Sequence, residues 1–359
     1  MLKKNGKIEE LQALRAIAFL EIFLGHCGVS FFTGAFGVSI FMVLSGFCMA
    51  VNYLPKADSI KASPMENVKF AWSKVKKLYG LHLVMLAVAY WFSKMPTSLE
   101  AQKKMLLDIC LLQSLSPYSD VFFSYNGVAW YLSVYLFICF FAPWILKLFG
   151  KCKEKQWVLL AAGAIYGGMV VLGYLVTRKP IAIGDHFAYW FTYIFPGYRL
   201  LDFTLGVALG WMYLHFENLP AGKWLMTLLE AGAAAVFVLV ILMFHRMEGV
   251  YDGLCYTALF APVSMFLVWV FACSRGWIMG LWNNSLFRWI GNLSGGAFLI
   301  HQIPVRWLRI YFPRTMEEPW RVLCIILIGF AVSALGAEMV GLVRKCMQKN
   351  VKLRNQIDN

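Results

Sequence analysis

Charged residues are scarce in this sequence. Only 14% of its 359 residues are Asp, Glu, Lys or Arg, and 60% are hydrophobic. A soluble domain is nearer a quarter charged and half apolar, so the deficit argues against a water-exposed globule. Acidic residues are the scarcer kind: 19 Asp and Glu face 33 Lys and Arg, a formal charge of +14. Such an excess can mark a nucleic-acid binder, but in an apolar chain it is the ordinary sign of cytoplasmic loops. No nucleic-acid partner is expected. Cysteine is present nine times, but mainly inside apolar runs and never as CxxC. That pattern offers neither a zinc site nor a disulfide framework and reads as buried free thiols. No metal and no bound cofactor are expected. No internal repeat of about 20–50 residues is visible. The opening "MLKKNGK" is basic enough for a signal peptide. However, Arg15 and Glu21 interrupt the apolar region behind it and no A-x-A site follows, so a retained first helix is expected.

The apolar residues lie in blocks of about 20 separated by short charged segments, the pattern of a polytopic membrane protein. Backbone polar groups in lipid must be satisfied internally, which requires helices. The sequence predicts an all-α integral membrane protein with ten spans, at 11–31, 34–53, 75–94, 128–147, 156–176, 197–215, 224–244, 253–273, 290–311 and 320–343. They form one membrane domain over 11–343, preceded by a cytoplasmic segment, 1–10, and followed by a basic cytoplasmic tail, 344–359. The segment "QKKMLLDICLLQSLS", 102–116, is too short and too charged to span and is expected to lie at the interface or re-enter. With both termini inside, twenty-one basic residues fall in inner segments and ten in outer ones, as the positive-inside rule demands. The exception is the last outer loop, where Arg306, Arg309, Arg314 and Arg321 mark either a misplaced boundary or a site for an anionic partner. Two GxxxG pairs, Gly163/Gly167 and Gly206/Gly210, are expected to allow close helix packing.

The first span, "LRAIAFLEIFLGH", carries three ionisable groups where lipid is expected: Arg15, Glu21 and His26. At 100° per residue, Arg15 and His26 share one helical face, about 16 Å apart along the axis, and Glu21 falls on another. Such groups are costly in lipid and should face a protein interior or a wet cavity. A snorkelling arginine and a histidine bonded to a backbone carbonyl would explain the spacing equally well.

The residues that follow narrow the choice. "LRAIAFLEIFLGH" with "GVSIFMVLSGF" resembles the opening of the acyltransferase 3 family, membrane enzymes that move acyl groups onto carbohydrates and other acceptors. The family pattern of Arg, ten residues, His is met by Arg15 and His26, and Ser45-Gly46-Phe47 resembles its second-span element. "WSKVKKLYGLHL" is similar to its basic stretch before the third span, with Lys74 and Lys77 in place of arginines and Gly80 in place of proline. Lysine keeps the charge but not the bidentate geometry. "NGVAWYLS", "PGYRLLDFTLG" and "IGNLSGGAFLIHQIP" resemble the elements at the fourth, sixth and ninth spans, so six motifs occur in order. Two positions depart: Gln12 stands where an acidic residue is usual, and Glu21 where a small or apolar one is. An appended esterase-like domain, carried by some members, is not expected here.

The resemblance implies transfer of an acyl group, acetyl first among candidates, from acyl-CoA to a hydroxyl of a surface glycan or its lipid-linked precursor, at the cytoplasmic membrane. No cofactor beyond the co-substrate is implied. His26 is the implied catalytic residue, either as general base on the acceptor hydroxyl or as an acyl-histidine nucleophile. Arg15 would hold the donor, with Lys74, Lys77 and Ser45 on its phosphate side; anchoring is the plain alternative for each lysine. Trp130, Tyr131, Arg199, Asp202, Glu21 and His301 are candidates to line the cavity or contact acceptor. Competing explanations are interface anchoring for Trp130 and Tyr131, an ion pair for Arg199 and Asp202, a helix partner for Glu21 and a satisfied core position for His301. Intramembrane charge also fits a glycan transporter, and a non-catalytic assembly partner is a third reading.

Overall fold

The computed structural model describes residues 8–178, 181, 183–216, 222–273, 275–312 and 316–357, the last eleven of these by backbone alone. Among the described residues there is helix and no strand. The longer helices are α1 (Glu10–Cys27), α2 (Ala35–Tyr53), α3 (Pro64–Phe92), α4 (Leu99–Ile109), α5 (Trp130–Gly150), α6 (Lys155–Arg178), α7 (Pro196–His215), α8 (Lys223–Met247), α9 (Ala261–Cys273), α10 (Ser285–Ile300), α11 (Gln302–Tyr311) and α12 (Glu318–Ile357). Local signals fix several ends. Ser63 caps α3 by accepting from the Glu66 N–H, with Pro64 at the first helical position. Gly28 stops α1 by taking φ 95°, and the Val29 N–H closes back on the Leu24 carbonyl.

Among the described residues, five helical segments are long and apolar enough to cross a membrane: Ala35–Ser59, Gly127–Gly150, Lys155–Arg178, Lys223–Met247 and Glu318–Cys346. The expected ten spans therefore reduce to five on that measure. Helices α1, α3, α7 and α10 cover further expected spans but fall short of it, and α1 and α7 do so while carrying Arg15, Glu21, Arg199 and Asp202. Two expected spans are broken. The segment 253–273 is a short turn of helix, Asp252–Cys255, followed by α9, and 290–311 divides into α10 and α11 at His301. The tail expected at 344–359 is a continuation of α12 as far as Ile357.

Helix α2 is central: its most apolar window is 78% buried, against 17% for α6 and 22% for α8. It packs on α1, α7 and α9. The approach to α7 is so close that a Cβ at Gly46 would lie 2.0 Å from the Phe203 carbonyl oxygen, and one at Gly206 would lie 2.1 Å from that of Val43. Gly210 meets Ala50 and Phe47 in the same seam, so the second GxxxG pair does bring two helices together. The first pair does not: Gly163 and Gly167 have no neighbour within 4 Å. They lie on α6, whose exposed Leu159, Leu160, Leu172 and Leu175 form an apolar outer face. Such a face is an aggregation risk in water and is at home in lipid.

Residues 102–116 divide into an exposed and a buried part. Helix α4 is largely exposed, whereas Leu111, Gln113 and Ser114 just after it are buried. Ser133 Oγ donates to the Leu111 carbonyl, and the Trp190 indole N–H donates to that of Ser114. Asp108, on the buried side of α4, sits 2.5 Å from Ser124 Oγ, which itself lies 2.6 Å from the Val121 carbonyl. One hydroxyl hydrogen cannot serve two acceptors, so a protonated Asp108 that donates to Ser124 resolves the geometry. Burial accordingly pushes the Asp108 carboxyl up to about 7. An acid raised in the folded state favours folding most below its unfolded value and loses that advantage as pH rises through the folded value. The melting temperature in nanodiscs should therefore fall between about pH 4 and pH 7, and Asp108→Asn should flatten that fall. An unchanged slope in the variant would exclude Asp108 as its cause.

Candidate active site

The first span delivers its three ionisable groups to three different places. Glu21 is buried, and its carboxylate accepts from the Thr33 N–H and hydroxyl, the Gly34 N–H and the Gly37 N–H, at 2.7–2.9 Å. It thus caps the N-terminus of α2 from a neighbouring helix, where free N–H groups and the helix dipole favour a negative charge. Glu21 does not line either cavity that His26 borders; helix support, one of its two expected explanations, accounts for it. Glu21→Gln would turn an amide donor toward these N–H groups. It should destabilise the protein by about 2 kcal/mol, read as a lower melting temperature, and an unchanged melt would contradict the cap.

Arg15 lies toward the other end of α1, beside the Cys48 thiol of α2. Tyr131 and Tyr135 of α5 are within its electrostatic reach, and Tyr131 lies beside Ser45. Lys74 turns into the same region, bonded to the Tyr53 hydroxyl with its ammonium 4.5 Å from that ring and 4.8 Å from the Phe70 ring. Arg15, Ser45, Tyr131 and Lys74 are thus brought together between α1, α2, α3 and α5. Lys77 is not: its side chain is exposed on the outer side of α3. Beside Lys74, Lys56, Lys61 and Lys69 border a cavity of about 460 Å³ together with Tyr53 and Phe70. The expected basic cluster missed these three, although each is visible in the sequence within twenty residues of Lys74.

His26, in the last turn of α1, meets His301 at the break between α10 and α11. The Nδ1 of His26 lies 3.0 Å from Nε2 of His301, and Nδ1 of His301 lies 2.8 Å from the Phe298 carbonyl. These contacts decide the protonation pattern. A carbonyl oxygen only accepts, so His301 carries its hydrogen on Nδ1 and offers a lone pair at Nε2. His26 must then donate through Nδ1, which leaves its own Nε2 unprotonated and available as a base or nucleophile. Arg309 Nη1 donates to the His26 carbonyl at 3.2 Å and fixes the backbone beneath the ring. His301 is therefore both a satisfied core histidine and the group that orients His26.

Two cavities meet at the His26 ring. One, of about 130 Å³, is walled by Trp130, Tyr193, Tyr256 and Phe298, with Thr33 and Gln302 as polar members. The other, of about 360 Å³, is bordered by Gln302, Val305, Arg306, Arg309 and Ile310. Gln302 joins them and accepts from the Val128 N–H at 2.9 Å, while Asn126 Nδ2 donates to the Leu299 carbonyl. The stretch "NGVAW" is thereby fastened to "LIHQ", two motifs 173 residues apart. Gln302 and Asn126 were missed as site residues, though both stand inside the quoted motifs. Trp130 and Tyr131, adjacent in sequence, part company: Trp130 faces the His26 cavity and Tyr131 the Arg15 region. The Tyr131 and Phe298 rings, 5.2 Å apart, stand between the two.

Arg199 and Asp202 pair at 3.2 Å with both side chains fully buried, and Arg199 Nη1 donates to Thr257 Oγ1 at 2.7 Å. Neither borders the two His26 cavities. Arg199 stands behind Tyr193, 5.7 Å from its ring, so it supports the aromatic wall instead of facing the cavity.

An acyltransferase domain model matches residues 8–338. The chain belongs to the acyltransferase 3 family. A "Putative O-acetyltransferase" of Staphylococcus aureus (strain COL) is 24% identical over 328 residues, which cover 86% of this chain and 52% of that protein. Its counterpart from strain MSSA476 is likewise 24% identical, with the same coverage. The "Acyltransferase MdmB" of Streptomyces mycarofaciens is 25% identical over 229 residues, 56% of this chain and 57% of that protein. The chain thus spans about half the length of the curated relatives it matches, and no solved structure matches it. For this family member the motifs matched in sequence are those that meet in space. Arg15 and Ser45 both lie beside Tyr131, and His26, held by His301, lines one cavity with Gly127, Val128 and Trp130.

Proposed function

We propose that the protein is a multi-pass O-acyltransferase of the cytoplasmic membrane. It moves an acyl group, with acetyl first among candidates, from acyl-CoA to a hydroxyl of a cell-surface carbohydrate or its lipid-linked precursor. The observation that carries this reading is the His26–His301 pair, which leaves the Nε2 lone pair of His26 free beside two cavities. The family match and the names of the relatives agree with it.

The donor enters from the side that holds Arg15, with both termini in the cytoplasm. Lys56 and Lys61, with Lys74 beside them, supply cations for its phosphates, Lys69 being paired with Glu66 at 2.8 Å, and Arg15 with Ser45 guides the pantetheine arm inward. The thioester passes the Tyr131–Phe298 contact to reach His26. The acceptor oxygen attacks the thioester carbonyl carbon as Nε2 takes its proton, the C–S bond breaks, and His26 returns the proton to the departing thiolate. In the two-step form, Nε2 attacks the thioester carbon and thiolate leaves; the acceptor oxygen then attacks the acyl-histidine, the N–C bond breaks, and the acceptor's proton passes to the freed Nε2. The aromatic wall of the smaller cavity suits the C–H face of a sugar.

The test uses protein in lipid nanodiscs with radiolabelled acetyl-CoA, followed by candidate glycans. His26-dependent thiol release with label on the glycan supports the proposal. Label kept on the protein before any glycan is added selects the two-step form. Glycan movement across vesicles with no His26-dependent label transfer would replace the enzyme reading with a transporter.

A further inference from the structure

We propose that the larger cavity beside His26 recognises a phosphate, so that the acceptor carries a phosphate close to the hydroxyl that is acylated. The proposal rests on the acyltransferase reading for its purpose, but not for its geometry. Arg306 and Arg309 both border that cavity of about 360 Å³. Three residues apart on α11, they lie on one face of the helix, where like charges repel. Among the described residues, neither has a carboxylate within 4.0 Å. The acidic Glu318 nearby is paired with Arg321 at 3.3 Å. Two unpaired guanidinium groups at one cavity are an arrangement that an anion would stabilise.

Arg309 is held in place. Its Nη1 donates to the His26 carbonyl at 3.2 Å, and its own carbonyl accepts from Arg321 Nη2 at 3.1 Å. The rest of its fork stays available within reach of the reactive ring. A phosphate offers several oxygens to two such forks, which a single carboxylate does less well. The position of α11 points to where that phosphate lies. The Trp307 and Tyr311 rings, 5.1 Å apart, are exposed on this helix, as aromatic anchors at the headgroup level are. A phosphate at that depth is either the diester of a lipid-linked glycan or part of a soluble sugar phosphate at the bilayer surface. Gln302 borders both cavities, so one acceptor can place a sugar ring against Trp130 and Phe298 and its phosphate on the arginines.

Binding tests this without turnover. Full-length protein in phosphatidylcholine nanodiscs is titrated with undecaprenyl phosphate, N-acetylglucosamine 1-phosphate, N-acetylglucosamine and glucuronate. The phosphorylated probes should bind at least about tenfold tighter than the neutral sugar, and more weakly as salt rises. The Arg306→Gln/Arg309→Gln double variant should lose that preference, Arg306→Lys/Arg309→Lys should retain part of it, and Arg246→Gln should match wild type. Tighter binding of the lipid phosphate identifies a lipid-linked source, and tighter binding of the sugar phosphate a soluble one. Equal affinity for neutral and phosphorylated probes, an unaltered preference in the glutamine variant, or glucuronate binding as tightly as phosphate would overturn the proposal. A melting curve for each variant separates lost binding from lost fold. His26-dependent thiol release, measured apart, reports on the acyltransferase reading alone.

Discussion

Replacing His26 by alanine should lower acyl transfer by about 10²- to 10⁴-fold, the range over which a positioned acid–base group accelerates a reaction. The protein should remain inserted, with a melting temperature near that of wild type, because His26 lies beside cavities and its removal leaves few groups stranded. His301→Ala tests the orientation argument separately. The variant keeps the reactive imidazole but frees its Nδ1–H, so His26 can adopt either tautomer. Turnover should fall less than in His26→Ala, and the pH–rate profile should move, because the group that fixes the proton on Nδ1 has gone. A variant at position 301 with wild-type rate and profile would return His301 to a purely structural role. Wild-type turnover in His26→Ala would end the catalytic assignment.

Gly206→Val should have the largest effect on the fold. The added Cβ would lie 2.1 Å from the Val43 carbonyl oxygen, and the atom in its way is backbone. Relief requires α2 and α7 to separate along a seam that also contains Gly46 and Gly210. A cost of at least about 3 kcal/mol is expected, the upper part of the range for overpacking, with loss of a discrete particle in gel filtration. Gly163→Val is the control, since nothing lies within 4 Å of that glycine and valine is compatible with a lipid-facing helix. Equal melting temperatures for the two variants would contradict the packing described for α2.

That pair of glycines shows what a spacing can and cannot reveal. Gly163/Gly167 and Gly206/Gly210 are the same pattern in sequence, but only the second faces another helix. A GxxxG pair states that a close approach is possible; whether a partner stands there depends on where the whole helix is placed. The same distinction holds for the ionisable groups of α1. Their cost in lipid is a property of the residues, so an interior or cavity position for Arg15, Glu21 and His26 followed from the sequence. Their tasks did not. Glu21 serves α2 because the 33–37 turn folds back over it, and the 100° step between Trp130 and Tyr131 turns neighbours toward different groups although their rings stay 6.1 Å apart.

By itself the sequence determined that the chain is helical and apolar, and that Arg15 and His26 share a face. Each of these follows from composition and from periods within one helix. The tertiary structure decided that His301 orients His26 across 275 residues. It also decided that Gln302 and Asn126 fasten two distant motifs, and that Arg306 and Arg309 border a cavity that His26 also borders. Those facts depend on which helices are neighbours and how they are rotated. That is fixed by the summed packing of many side chains, which no local pattern contains.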